Sequence, residues 1–342
     1  MLSAAVIGRQ RSAVFVLALL FVADAFTEVS FREVWKVAGR GGFSAPNILE
    51  RGARDAVGIV VTESDIGVVC FDLKGQRLWE FPMSAPVTAA PAVVDLDGNG
   101  VEEVLAADST GHLVALDAQG KNVWAATVPG AVNGASCPAV ADLDGDGGPE
   151  ILVGDNSGTL SCFDHKGKLL WQFCGEGTQM GPVLVADIYD APGKEVIVTS
   201  HDRHIYALNA HGEWLWDIYR RDDLFPNSNP ILADVEGDKI PELYIGGGLH
   251  HFYRINLATH AVEFEENVFM HINGAIVASD LDGDGADEVM FGTKGGALWC
   301  YAKERERVVA DFEDGSSEIR WHYGKVGIRW VLNLQKATLY TA

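Results

Sequence analysis

One pattern returns along this chain at a nearly constant interval, and it constrains the fold more than any other feature. Pro46, Pro91, Pro138, Pro182 and Pro230 are 44 to 48 residues apart. Trp79, Trp124, Trp171 and Trp216 keep the same interval, and so do the acids Asp95, Asp142, Asp187, Asp234 and Asp280. Three independent markers on one period make this a repeat protein. The third repeat, Pro138 to Phe173, is the clearest. It predicts four short strands, Ala139–Ala141, Glu150–Val153, Thr159–Phe163 and Leu169–Phe173, on β-branched and apolar content. Asn156-Ser157-Gly158 and His165-Lys166-Gly167 supply the turns between them. Four antiparallel strands in about 45 residues predict a propeller blade. A helical repeat would need 3.6-periodic apolar stretches, and none occurs. The 38 glycines fit a turn-rich chain. The expected fold class is therefore all-β, a β-propeller of four-stranded blades.

Six repeats are recognisable, near 46–81, 91–126, 138–173, 182–218, 230–265 and 275–323. Arg9 and Arg11 precede an apolar run from Ala13 to Ala23, and Ala23-Asp24-Ala25 follows. This is the layout of a cleaved secretory signal over residues 1–25, too short to span a bilayer. Residues 26–342 are then one propeller domain, secreted, periplasmic or at the cell surface. Two pieces flank the repeats. Phe31–Val37 reads as an outer fourth strand with Trp35 in the place of Trp79, and Gly327–Ala342 could supply two more strands. Joining both ends into one blade hides the open sheet edges. Seven such units use nearly all the residues after the signal, so seven blades are favoured over six with two tails. The outer-strand tryptophans fill the wedge between blades.

Lysine and arginine total 26 against 48 aspartates and glutamates, a formal charge of −22. That excludes nucleic-acid binding through a general basic surface, and argues against docking on anionic lipid. No later segment is apolar and long enough to insert in a membrane after signal cleavage. Five cysteines leave no complete disulfide framework. Cys70, Cys162 and Cys300 hold matching third-strand places and read as buried small apolar residues, while Cys137 and Cys174 near connections are candidates to pair.

Acidic nine-residue loops join the first two strands of four repeats. The ligand positions one, three, five, seven and nine are Asp95, Asp97, Asn99, Val101 and Glu103 in the second repeat. They are Asp142, Asp144, Asp146, Gly148 and Glu150 in the third. They are Asp234, Glu236, Asp238, Ile240 and Glu242 in the fifth, and Asp280, Asp282, Asp284, Ala286 and Glu288 in the sixth. Alternate carboxylates from a tight turn, with the carbonyl at seven and the acid at nine, make an all-oxygen shell suited to Ca²⁺. The absence of His and Cys argues against zinc. About four ions are expected. The fourth repeat places Tyr189 and Ala191 between Asp187 and Glu195, and the first has Arg51 and Arg54 in its loop; neither is expected to hold metal.

The stretch PAVADLDGDGGPEILVG, with LSCFDHKGKLLW after it, resembles FG-GAP/VCBS-type repeats within the quinoprotein-like (PQQ-like) propeller group. Gly154, Gly246 and Gly292 match the glycine after the second strand in that pattern. The resemblance implies a calcium-stabilised propeller on or outside the cell, with structural calcium loops like those of integrin α-subunits. It brings no enzymatic activity. The quinone-dependent members often carry an adjacent-cysteine disulfide, and this chain has no Cys-Cys pair. No G-x-S-x-G motif occurs. The expectation is a non-enzymatic scaffold for an unidentified protein or glycan partner; the alternative is a PQQ-like or polysaccharide-active enzyme. The face opposite the calcium loops would carry His201, Asp202, His204, His250, His251 and His271, where other repeats have small polar residues. They could form a ligand or transition-metal patch. The connection Tyr219-Arg220-Arg221-Asp222-Asp223-Leu224-Phe225 is a second candidate contact.

Overall fold

The computed structural model describes residues 33–52, 56–133, 136–177, 179–221, 228–268, 271–294, 297–303, 319–324 and 327–333. Two units are distinguished, Met1–Ala38 and Gly39–Ala342. In the first, residues 33–38 carry no regular structure. In the second, every described element is a strand, and no helix is long and apolar enough to cross a membrane.

The strands form six antiparallel sheets in chain order. The first sheet holds β1 (Asn47–Glu50), β2 (Ala56–Glu63), β3 (Gly67–Phe71) and β4 (Arg77–Pro82). The second holds β5 (Ala92–Val94), β6 (Glu103–Ala107), β7 (His112–Leu116) and β8 (Asn122–Thr127). The third holds β9 (Ala139–Ala141), β10 (Glu150–Gly154), β11 (Thr159–Phe163) and β12 (Leu169–Cys174). The fourth holds β13 (Met180–Ala186), β14 (Glu195–Ser200), β15 (His204–Leu208) and β16 (Trp214–Tyr219). The fifth holds β17 (Ile231–Ala233), β18 (Glu242–Gly246), β19 (His251–Ile255) and β20 (Val262–Asn267). The sixth holds β21 (Ile272–Ser279), β22 (Glu288–Thr293), β23 (Ala297–Ala302), β24 (Ile319–Gly324) and β25 (Gly327–Asn333). The four strands expected of the third repeat are found to within one residue at each end.

Local chemistry sets each hairpin. Asp72, Asp117, Asp164 and Asn209 open the turn between third and fourth strands. Each side chain accepts the backbone N–H groups two and four residues on, at 2.7–3.0 Å. Gly75, Gly120, Gly167 and Gly212 then take the positive φ that closes it. A bulge recurs at the same register just before this turn, at Cys70/Phe71, Ala115/Leu116, Cys162/Phe163, Ala207/Leu208 and Arg254/Ile255. An extra residue there strengthens the local twist.

The core lies between successive sheets. Leu49, Val60 and Val68 meet Val104 and Leu116; Leu105 and Leu113 meet Ile151 and Phe163. Leu152 and Cys162 meet Val196 and Leu208; Ile197 and Ile205 meet Leu243 and Tyr253. Tyr244 and Phe252 meet Phe291 and Trp299. Second and third strands are buried on both faces, so they read as continuous apolar runs. The outer-strand tryptophans bridge sheets, as expected of wedge fillers. Trp79, Trp124 and Trp171 each donate Nε1–H at 3.0 Å to a carbonyl in the next repeat's hairpin turn, those of Ala118, His165 and Ala210. Each ring lies against that turn's glycine, Gly120, Gly167 or Gly212.

The ends differ from the expectation. Residues 33–37 of the Phe31–Val37 segment are not a strand, and Phe31 and Arg32 lie outside the described residues. β25 is a strand but pairs with β23, taking the fourth place in the sixth sheet, with β24 beyond it. A strand persists only where its backbone groups find a ladder, and β25 finds one on β23. Among the described residues the sheets number six, one for each recognisable repeat. Residues 334–342 and the expected signal, 1–25, lie outside the described residues.

Candidate metal loops and binding face

The acidic loops fold as nested turns. In the second, Asp95 accepts the N–H groups of Asn99 and Gly100, Asn99 accepts that of Val101, and Glu103 accepts that of Leu96 at 2.9 Å. The third repeats this. Asp142 accepts Gly145 and Gly147, Asp146 accepts Gly148, and Glu150 accepts Leu143 at 2.7 Å. In the sixth, Asp280 accepts Gly283 and Gly285, Asp284 accepts Ala286, and Glu288 accepts Leu281 at 2.8 Å. Glycines at loop positions four and six, such as Gly145 and Gly147, have positive φ, which lets the chain wrap around its own carboxylates.

The wrapping brings like charges together. One oxygen from each of Asp95, Asp97 and Glu103 lies within 4.8 Å of the others. The same holds for Asp142, Asp144 and Asp146, and for Asp280, Asp282 and Glu288. Burial pushes the carboxyls of Glu103, Glu150 and Glu288 up, and the neighbouring aspartates push them further. An all-oxygen set of crowded anions is a donor set for a hard divalent cation.

The fifth loop uses the same turn but brings a guanidinium among its acids. Asp234 accepts Gly237, Asp238 and Lys239, and Asp238 accepts Ile240. The guanidinium of Arg254, from β19, enters among the acids. It meets Glu236 at 2.6 Å and Glu263 at 3.2 Å, with its own side chain 10% exposed. Lys303 also donates to the Glu236 carbonyl. Burial raises Glu242 to about 7 against the opposing pull of Arg254, with Glu236, Asp238 and Asp234 adding to the rise. Glu242 here accepts the Tyr244 hydroxyl at 3.5 Å. Arg254 was missed in the sequence. Its signal is a column: Cys70, Ala115, Cys162, Ala207 and Cys300 hold the matching third-strand places, and only the fifth repeat puts a charge there.

Two loops lack the acidic pattern. In the fourth, Glu195 still accepts the Ile188 N–H at 2.8 Å, but Tyr189 fills the turn. Its hydroxyl accepts Trp216 Nε1–H at 2.7 Å and donates to the Leu257 carbonyl at 3.1 Å. In the first, the Glu50 N–H donates to Glu102 at 2.6 Å and Gly52 to the Gly100 carbonyl, tying this loop to the second. Ala53, Arg54 and Asp55 lie outside the described residues.

The expected binding face resolves into two groups. Around the fourth sheet, His204 Nδ1 lies 2.8 Å from Asp217 Oδ2, and its ring stacks on Tyr206 at 5.1 Å. The Tyr219 ring is tilted against His204 at 5.0 Å and is half exposed. Asp202 accepts the Tyr206 hydroxyl at 2.7 Å, and the His201 N–H donates to the Gln179 carbonyl. Around the fifth sheet, the His250 and His271 rings are 5.2 Å apart, and His271 Nδ1 meets the Gly248 carbonyl. His251 Nε2 lies 3.8 Å from Glu265, which pairs with Arg220; Arg220 lies over Tyr253 at 5.0 Å. Among the described residues no three of these side chains converge as a metal-binding set. Asp222 to Phe225 of the adjoining connection lie outside the described residues.

These turns carry an unusual backbone. Arg203 and His250 stand where the second and third repeats have Gly111 and Gly158, and they share the positive φ, at 77° and 100°. Such residues cost about 1–2 kcal/mol each relative to glycine. No disulfide joins Cys137 to Cys174, and both are exposed. Cys70 and Cys162 are buried as expected, and Cys300 partly so. Burial lifts the Cys70 and Cys300 thiols to about 11, which leaves them inert at neutral pH.

Two overlapping stretches, residues 58–138 and 135–222, match a family model described as the lambda-carrageenase beta-propeller domain. No curated protein matches the chain. Among solved structures, BBS1N in complex with ARL6DN, in a crystal soaked with lead, aligns with a TM-score of 0.54 at 16% identity. The alignment covers 77% of this chain and 79% of that one. The mercury-soaked crystal of the same complex gives 0.51 at 16% identity, over 70% and 73%. At this identity the likeness speaks for the fold alone. With the six antiparallel sheets, five of four strands and one of five, and the family match, it establishes the chain as a β-propeller.

Proposed function

We propose that this chain is an exported, calcium-stabilised β-propeller that binds a glycan through the turns of its fourth and fifth repeats. The calcium reading is carried by one observation: three loops each gather three carboxylate oxygens within 4.8 Å. Such crowding is unfavourable without a counter-charge, and extracellular Ca²⁺ at millimolar level suits sites of this kind. The loops of the second, third and sixth repeats would hold the ions through Asp95, Asp97 and Glu103, through Asp142, Asp144, Asp146 and Glu150, and through Asp280, Asp282, Asp284 and Glu288. The carbonyls of Val101, Gly148 and Ala286 would complete the shells. The role would be structural, as the resemblance to integrin α-type calcium loops implies.

The glycan reading rests on the aromatic stack of His204, Tyr206 and half-exposed Tyr219, on the backbone outliers beside it, and on the carrageenase-type match that runs to residue 222. Flat rings with flanking polar groups suit sugar faces. A protein partner is the second reading, favoured by BBS1N having been solved in complex with ARL6DN.

Thermal unfolding in millimolar calcium and in chelator, with bound-metal stoichiometry, tests the first part. The expected result is a marked rise in Tm with calcium. Asp144→Ala is expected to remove one ion and to lower Tm only when calcium is present. Equal loss in chelator would overturn the assignment of that loop. A glycan array with wild type and Tyr219→Ala tests the second part. Binding by both forms alike would move the ligand elsewhere.

A further inference from the structure

The fifth loop has the turn geometry of its three relatives, yet its residues do not suit a bound calcium ion. Position three is the longer Glu236 in place of aspartate. Position six is Lys239, which holds a φ of 71° where the other loops place Gly100, Gly147 and Gly285. Lys239 is thus a cation introduced at a backbone cost of about 1–2 kcal/mol. Arg254 reaches in from the neighbouring strand, bonded at 2.6 Å to Glu236 and at 3.2 Å to Glu263. The Lys303 ammonium also meets the loop at the Glu236 carbonyl.

We infer that Arg254 is a tethered cation in the place where the other three loops would hold calcium, so that the propeller takes three ions and its fifth loop is metal-independent. The inference rests on reading the second, third and sixth loops as calcium sites. Its physical basis is charge. A guanidinium supplies planar, permanently charged donors to carboxylates. It removes the like-charge crowding without an ion that could be lost to dilution. It also explains why the carboxylates of this loop do not gather as a metal-binding set as the others do.

Equilibrium dialysis against calcium, with bound metal counted per chain, is the test. Wild type is expected to bind three ions. Asp238→Ala, in the fifth loop, is expected to leave three, while Asp144→Ala in the third loop leaves two. The triple change Arg254→Ala, Glu236→Asp and Lys239→Gly puts at all three places residues that the second repeat carries, Ala115, Asp97 and Gly100. It is expected to bind four ions and to gain a larger calcium-dependent rise in Tm than wild type. Four ions on wild type, falling to three with Asp238→Ala, would overturn the inference and leave the calcium reading intact. A folded triple variant that still binds three would do the same. No bound calcium on any form would overturn both. Asp238 is exposed, so the first comparison holds even if the triple variant does not fold.

Discussion

At the scale of single residues, burial forces each polar group to find partners, and the turns between second and third strands show how. Asp108 is buried and accepts the N–H groups of Thr110 and His112 and the hydroxyls of Thr110 and Ser84 at 2.7–3.1 Å. Burial acts to raise its carboxyl, but these donors outweigh burial and hold it below the ordinary carboxylate range. The charged form is thus favoured by folding. Its contribution is present above the unfolded value, about 3.9, and is lost as pH falls through the lower folded value. Asp108→Asn is expected to cost about 1.5–3 kcal/mol at pH 7, a difference that shrinks in acid; urea unfolding at pH 7 and pH 3 checks it. In the fourth and fifth repeats the same place holds Ser200 and Gly247, and the glycine position of the turn becomes Arg203 and His250. A side chain kept at positive φ signals use rather than stability. His250→Gly is expected to raise stability by about 1 kcal/mol and to weaken ligand binding. A drop in stability, measured the same way, would show that the side chain serves packing.

At the scale of the element, the repeat is a unit that cannot stand alone, and its marker residues show why. Trp79, Trp124 and Trp171 each reach across to the next repeat's hairpin, so the period of these tryptophans in the sequence is the period of a tie between sheets. Gly167→Ala is expected to lower stability by about 1–3 kcal/mol, because the turn has a φ of 79° and a methyl there would meet the Trp124 ring. Gly145→Ala shares the strained φ but meets nothing within 4 Å, so its loss should be smaller; a paired Tm measurement separates contact from backbone strain. This tie was half legible beforehand. Tryptophan spacing and the glycine-containing turns were plain in the sequence, and the strands of the third repeat could be placed to within one residue, because local turn chemistry and β-branched runs agree there. The Phe31–Val37 segment shows the limit. It carries the composition of an outer strand, including Trp35, but composition does not supply a partner, and residues 33–37 form no ladder. Arg254 was missed for a related reason: a charge within a buried strand gains meaning only from the loop it faces, and that loop is 12 residues away in sequence at its nearest end.

At the scale of the molecule, the charge of −22 and the acidic loops belong to one electrostatic problem. The loops join first to second strands in every repeat that has them, so their carboxylates recur at one end of successive sheets. Each cluster repels itself at short range, and the net charge repels the whole at long range. Three bound calcium ions would remove about six negative charges, while Arg254 already answers for the fifth loop. Salt provides a way to separate these contributions. Screening at 0.15 M acts over about 8 Å, so it relieves repulsion between loops and leaves most of that within one loop, where oxygens stand inside 4.8 Å. In chelator, Tm is therefore expected to rise with sodium chloride but to stay below its value in calcium at every concentration. In calcium the salt dependence should be flatter, because fewer uncompensated charges remain to be screened. A salt series of thermal unfolding curves with and without calcium reads both slopes. If salt alone brought the chelated protein up to the calcium curve, net charge would be the whole effect, and specific coordination by Asp95, Asp142 and Asp280 would have no part in stability.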